Sequence, residues 1–569
     1  MNLSPQVTWI FLLVMVYWAY AVACGIQGAR RATTVDHYFL AGRQLPFWAF
    51  VMAATATTYS GWSFIGSPGQ IYAHGLPYSG GQLSAITMPL AGVLLLKRQW
   101  LLGRRFGFVT PGEMLAYYFR SDLLRLLVVL VALVFSVPYL GVQLRAAGFL
   151  FSALTDGLLT VDFGMWVLAV VVLSYVASGG LRTVAYVAIL QGLLLVVGIV
   201  VIGTAAVLLV GGWGPLVEGM AALSQHDPLR TPDGHSHYVA IPGVIQMVDT
   251  GSEATGGPWT GMMILTYHLG LIGIMASPAF SMWAYASRSP APFAAQQVWA
   301  SALVMGLVTM VFITVQGFGG HLLGADPAFA GARPDLVRPL LSAAADRQDM
   351  MVPELIGRLG TQAPWLVGLL AVCALAAMES TAACYMATAG SVLTRDLFRR
   401  FLLPRADDRT QKFVARLCVM ALVVLALVVA SSASRALVLL GGLAVSYAFQ
   451  LVPALVAACY WPFLTRQGVT AGLVAGLIGV TLTDAIGPRW LGIDAWGAAP
   501  LTLHPAFWGM LCNLALALPV SLLTCDDAAR KREFHTFLVR TAALPARKRR
   551  LVPLAWILLA LWYGFAAGP

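Results

Sequence analysis

Apolar runs of membrane length, separated by short polar stretches, make up most of the chain. They begin near Val7, Pro46, Gly80, Leu124, Phe163, Val184, Trp259, Ala294, Trp365, Phe413, Leu437, Val469, Pro505 and Val552. A helix needs about 20 apolar residues to cross a bilayer, so this pattern predicts about fourteen spans. The run from Leu124 to Leu154 is longer than a bilayer requires and predicts a tilted or protruding helix. The first run, about Val7 to Ile26, has no basic stretch before it and exceeds a signal-peptide core, which predicts a retained span.

One run is interrupted in its middle. Between Ala53 and Gly69 it carries Thr55, Thr57, Thr58, Ser60, Gly61, Ser63, Gly66, Ser67 and Pro68. Lipid cannot hydrogen-bond an unpaired backbone, so irregular chain at membrane depth survives only where it is buried in protein or lines a cavity. A span broken by Gly and Pro therefore marks either a binding site near the midplane or a kinked packing helix. A second break is expected at Ser277-Pro278-Ala279-Phe280-Ser281, because Pro278 has no N–H to donate.

Composition agrees with the span pattern. Hydrophobic residues are 59% of the chain, charged residues 10%, and the mean hydropathy is +0.79, which identifies an all-α polytopic membrane protein. The net charge of +11 does not indicate nucleic acid, because the basic residues sit in short loops between spans. With the N-terminus outside, the inner loops hold 27 of the 35 Lys and Arg, so the positive-inside rule predicts that orientation in a plasma membrane, the inner membrane if the source is bacterial. The basic run Arg547–Arg550 is placed to meet anionic lipid. The seven cysteines lack paired spacing and read as small apolar residues. His226, His235 and His237, with Asp227 and Asp233, lie in one outer loop and read as a metal cluster or a solvated loop. No phosphate-binding loop, esterase elbow or zinc-protease motif is present, so an enzyme is not expected.

Four short elements then point to a family. Asp36-His37-Tyr38-Phe39-Leu40-Ala41-Gly42-Arg43 precedes the broken span, and Ser63-Phe64-Ile65-Gly66-Ser67-Pro68-Gly69 completes it. Gly179-Gly180-Leu181-Arg182 with Gln191 follows, then Met378-Glu379-Ser380-Thr381 with Thr394-Arg395-Asp396-Leu397-Phe398. In this order they resemble the sodium:solute symporter family. The resemblance implies a LeuT-type inverted repeat of five plus five helices, with one extra N-terminal span and about three extra C-terminal spans. It implies one transmembrane domain over 1–569, with repeats at about 46–211 and about 258–461. It also implies sodium-coupled import of a small organic solute.

The family's sodium site maps onto Ser380 and Thr381, the carbonyl of Ala377 one turn earlier, and the carbonyls of Ala56 and Tyr59 in the broken helix. The same hydroxyls could instead bond back to their own helix. Two departures stand beside this: Thr58 replaces an Asp or Asn of some members, and Ala188 replaces a family Asp. They leave sodium coupling, proton coupling and uncoupled transport open. Glu379 is a carboxylate inside a span and a candidate for coupling, or a structural group turned to another helix face.

The fold places the solute beside the break. Its expected contacts are Ser60, Trp62 and Ser63, then Ser277 and Phe280, then Ser446 and Tyr447, with Gln143 and Arg145 on a further helix. Arg145 lies well inside an apolar span, where a guanidinium needs an anion or a wet cavity. It is expected to grip a substrate carboxylate, against pairing with Glu379 or snorkelling to the interface. A carboxylate-bearing solute is therefore favoured. The rival readings are a membrane solute sensor without net transport and a membrane enzyme. The oligomeric state is not readable from the sequence.

Overall fold

The structure is a computed structural model, and it describes residues 4–224, 238–239, 259–324, 345–432, 437–484, 499–526 and 528–542. The histidine-bearing outer loop residues 226, 235 and 237, the basic run 547–550 and the expected span near Val552 lie outside the described residues. Regular structure among the described residues is helical, apart from one isolated bridge between Leu45 and Ser287.

In chain order the main helices are α1 (Pro5–Arg31), α2 (Phe47–Thr58), α3 (Ser67–His74), α4 (Ser84–Phe106), α5 (Pro111–Phe119), α6 (Asp122–Leu154) and α7 (Val161–Val210). They continue with α8 (Gly261–Ala276), α9 (Pro278–Ala286), α10 (Ala291–Gly324), α11 (Pro364–Leu402), α12 (Asp408–Ser432), α13 (Leu437–Cys459), α14 (Arg466–Thr483), α15 (Pro505–Leu523) and α16 (Ala528–Ala542). Among the described residues nine helices are long and apolar enough to cross a membrane, or ten when the bent pair α8–α9 is one span.

The difference from about fourteen has local causes. The spans expected near Phe163 and Val184 are both present, as the two helices of the α7 segment on either side of non-helical backbone at Gly180, and the count of nine takes that segment as one. Gly180 has φ +61°, and a Cβ there would come 2.3 Å from the Tyr38 carbonyl oxygen, so only glycine fits the hinge. The broken span appears as two short helices, and α14 falls outside the nine.

Both expected breaks are present. Tyr59 is extended (φ −112°, ψ 130°) and ends α2. The chain becomes helical again at Gly61, makes a π-helical turn over Trp62–Gly66 and runs on directly into α3, which carries Pro68 just after that turn. Ser277 is extended between α8 and α9, which meet at 44°. The α11 segment is almost wholly buried and packs against α1, α6 and α7, placing Ser380 and Thr381 at the centre of the bundle.

Candidate functional site

The end of a helix leaves its last carbonyls without intrahelical donors. Here that end lies inside the protein, and α11 supplies the missing donors. Ser380 Oγ lies 2.9 Å from the Ala56 carbonyl oxygen and 3.0 Å from that of Ala377. Thr381 Oγ1 lies 3.4 Å from the Tyr59 carbonyl oxygen. All five residues expected at the sodium site thus meet in one place, with Ser380 and Thr381 fully buried. Three carbonyl and two hydroxyl oxygens, with no charged side chain among them, are the hard neutral donors that suit a small monovalent cation. Thr58 Oγ1 donates to the Ala54 carbonyl within its own helix, and Ala188 is buried against its neighbours.

The other side of the break is closed by α6. The Gly61 N–H donates to Gln143 Oε1 at 2.8 Å, and the Trp62 N–H donates to Ser60 Oγ at 3.1 Å. Gln143 Nε2 donates to the Tyr139 carbonyl. Gln143 and Ser60 therefore satisfy the unwound backbone.

Beyond the break lies a cavity of about 40 Å³. Trp62 and Ser63 line it, together with Thr58, Tyr78, Tyr139 and Tyr267. Trp62 meets Tyr139 and Tyr267 edge-on, at 5.9 and 6.2 Å between ring centres. The Tyr78 and Tyr267 hydroxyls are 3.4 Å apart. Trp62 fits under α13 because residue 441 is glycine; a Cβ there would come 2.9 Å from the indole. None of the lining residues is Asp, Glu, Lys or Arg. A larger groove of about 780 Å³ lies along α14 and is mostly apolar, as a lipid-facing surface would be.

Of the nine expected solute contacts only Trp62 and Ser63 line this cavity; Ser60 and Gln143 serve the unwound backbone, and the other five lie elsewhere. Arg145 Nη1 donates to the Ala430 carbonyl at the end of α12, at 3.3 Å, and the guanidinium lies 5.3 Å from the Phe149 ring. The expectation that it faces the solute is corrected: it engages a carbonyl in the last turn of α12 instead. Phe280 is fully buried in α9, and Ser446 Oγ bonds back to the Gly442 carbonyl. Tyr447 pairs its hydroxyl with Thr481 Oγ1 on α14, at 2.8 Å. Ser277 also lies outside the lining; its hydroxyl is buried at the second break.

Glu379 turns away from the hydroxyl pair. Its Oε2 accepts from the Tyr17 hydroxyl at 2.9 Å and its Oε1 from Trp18 Nε1 at 2.6 Å, both on α1. Gln191 Nε2 donates in turn to the Tyr17 oxygen at 2.8 Å. Successive helical residues differ by about 100° around the axis, so Glu379 and Ser380 address different neighbours. No pairing between Glu379 and Arg145 is present.

Tyr78, Tyr139 and Tyr267 were not singled out in the sequence. The available signal was Tyr139 one turn before Gln143 on the same face. Tyr78 and Tyr267 carry no local pattern and reach the cavity only through long-range packing.

The sodium:solute symporter family model matches residues 38–476. The chain belongs to the sodium:solute symporter family. It is 25% identical over 491 residues to the sodium/proline symporter of Escherichia coli K12, covering 84% of this chain and 88% of that protein. It is 23% identical over 510 residues to the sodium/glucose cotransporter of Vibrio parahaemolyticus, covering 84% and 85%. Its fold is similar to that of a Na+-coupled sialic acid symporter solved in a substrate-bound outward-open state, with a TM-score of 0.69, 16% identity, and 91% and 98% of the two chains covered. The activity is accordingly sodium-coupled symport of a solute across a membrane, with Na+ as the coupling ion, and the protein is a transporter and not an enzyme.

Proposed function

We propose that the chain imports a small zwitterionic solute of the amino- or imino-acid class, driven by sodium bound at the first break. The observation that carries this reading is the uncharged, aromatic and hydroxyl-rich lining of the cavity. A cavity without a charged side chain disfavours a net ion, since burying an unpaired charge is costly. A zwitterion brings no net charge. Its cationic end suits the rings of Trp62, Tyr139 and Tyr267. Its carboxylate suits the cation at the break and the N-terminal end of the resumed helix. The relatedness to a sodium/proline symporter supports the same class.

In this reading sodium is held by the carbonyls of Ala56, Tyr59 and Ala377 and the hydroxyls of Ser380 and Thr381. Those hydroxyls now hydrogen-bond the carbonyls, and the ion replaces those bonds with direct coordination. Sodium thereby ties α2 to α11 beside the cavity. The cavity of about 40 Å³ is too small for an amino acid, so loading requires the helices to part. The distribution of Lys and Arg supports an N-terminus outside, and an inward sodium gradient would make import the direction. The two breaks at Tyr59–Gly66 and Ser277 fall early in the stretches 46–211 and 258–461, as two inverted repeats would have them.

The test is uptake into proteoliposomes under an inward sodium gradient, with labelled amino acids, monocarboxylates and sugars. Sodium-dependent accumulation of an amino or imino acid is expected. Accumulation of a sugar or a simple monocarboxylate, with no amino acid transported, would overturn the reading.

A further inference from the structure

Glu379 is a fully buried carboxylate in a membrane-spanning helix, and its described partners are two neutral donors on α1. Losing a partner from a buried charged group costs far more than the net worth of one ordinary hydrogen bond. The contact with α1 is therefore a strong constraint on the rotation of α11. It does not act alone. At Gly368 the same two helices approach so closely that a Cβ would come 2.7 Å from the Trp9 carbonyl oxygen. Gln191 extends the contact from α1 to α7. Ser380, the next residue, sits 2.9 Å from the Ala56 carbonyl, a distance that a small rotation of α11 would change.

We propose that Glu379, held by Tyr17 and Trp18, is a positioning residue that fixes the register of the Ser380–Thr381 pair against the broken helix and so sets sodium affinity. This inference rests on the sodium-site reading. Helix α1 precedes the family-matched stretch 38–476, so the anchor is built by a helix outside the matched residues. If α11 is free to rotate, only a fraction of molecules present all five oxygens at once. The apparent sodium affinity falls by that fraction, while the solute, contacting other helices, binds as before once sodium saturates.

The chemistry of the network separates geometry from charge. In Glu379→Gln the amide oxygen still accepts from Trp18, and the amide nitrogen donates to the Tyr17 oxygen. The Tyr17 proton then turns to the Gln191 amide oxygen after that amide flips, so both α1 groups keep a partner. Glu379→Ala leaves both α1 donors unsatisfied. Tyr17→Phe with Trp18→Phe breaks the anchor from the other side without touching α11.

The experiment measures stabilisation of purified full-length protein against sodium concentration, with potassium as the control, and then solute affinity at saturating sodium. Glu379→Ala and the Tyr17→Phe/Trp18→Phe pair are expected to raise the sodium half-saturation about tenfold, the scale of one lost hydrogen-bonded contact. Glu379→Gln is expected to stay within about threefold of the parent, with solute affinity at saturating sodium unchanged in all. If Glu379→Ala does not fold, the α1 pair carries the test. Unchanged sodium half-saturation in a folded anchor variant, or equal weakening of sodium and solute, overturns the proposal. Thr381→Ala in the same assay tests the underlying reading. If Thr381→Ala keeps normal sodium stabilisation, the sodium site itself is wrong; if it loses that response while the anchor variants keep theirs, only the anchor is wrong.

Discussion

The centre of the bundle and its periphery differ in how they use polar groups. At the centre, carbonyls of a broken helix, two hydroxyls and a ring of tyrosines face one another with no charged side chain among them. The charges lie around this core and bind helices together. Glu379 joins α11 to α1, and Arg145 joins α6 to the end of α12. Arg395 pairs with Glu113 at 2.8 Å, linking α11 to the start of α5. Arg125 approaches Asp396 at 3.5 Å, linking α6 to α11. Arg400 grips Asp122 through two nitrogens. The division has a physical reason. A transported ion must leave as readily as it arrives, and a full opposite charge in a low-dielectric site would hold it too firmly. Charges that never release a ligand carry no such restriction and serve as braces.

The comparison is sharpened most by removing a brace and a ligand in parallel. Ser380→Ala with Thr381→Ala removes both side-chain oxygens of the centre. Sodium-driven uptake should fall at least about a hundredfold at low sodium, at roughly tenfold for each lost contact. Uptake against sodium concentration checks it. Arg395→Ala should instead leave the sodium half-saturation near normal but lower stability by about 2 kcal/mol, below the 3–5 of a fully buried pair because both partners keep some exposure. Thermal unfolding of the purified protein reads that loss.

Asp349 offers a pH-dependent case beside the start of α13. Its carboxylate accepts from the Leu437 N–H at the start of α13, at 3.0 Å. Burial pushes its carboxyl up to about 6, against the lowering by that bond and by the Arg145 guanidinium. The folded protein thus takes up this proton at a higher pH than the unfolded chain, whose carboxyl stays near 3.8. Ionising Asp349 therefore costs stability, fully above pH about 6, and the cost is relieved as pH falls toward 4. The parent should gain stability relative to Asp349→Asn on acidification through that window, by at most about 3 kcal/mol. Melting curves from pH 8 to 4 measure it, and a parent that loses stability relative to Asp349→Asn on acidification would contradict the sign.

The smallest effects should come from Arg145 and Arg400. Arg145→Ala should change solute half-saturation by less than about threefold, because the guanidinium engages a helix-end carbonyl and a ring rather than the cavity. Competition binding decides this, and loss of solute binding would restore the arginine to the site. Arg400→Ala breaks a half-exposed pair and should cost less than about 1 kcal/mol.

Much of the centre was legible in the sequence, for reasons specific to membranes. Thr, Ser, Gly and Pro between Ala53 and Gly69 can be tolerated only at a break, and the adjacent Ser380–Thr381 hydroxyls stood out in an apolar run. Charge direction was not legible. Arg145 and Glu379 each announced a buried charge, but the partner depends on helix rotation and tilt, which come from packing across the bundle. Ala430 is 285 residues from Arg145, and Tyr17 is 362 from Glu379. The cavity's Tyr78 and Tyr267 were hidden likewise, since an isolated tyrosine in a span looks the same facing lipid, core or solute. The break at Gly180 separates the two spans that the sequence led one to expect near Phe163 and Val184.

The most direct test of the account is equilibrium binding of radiolabelled sodium to the purified protein, comparing the parent with Ser380→Ala/Thr381→Ala and with Arg145→Ala. The account predicts that the double hydroxyl variant loses saturable sodium binding while Arg145→Ala keeps it. Saturable binding of parental affinity in the folded hydroxyl variant would contradict an ion held by neutral oxygens at the helix break.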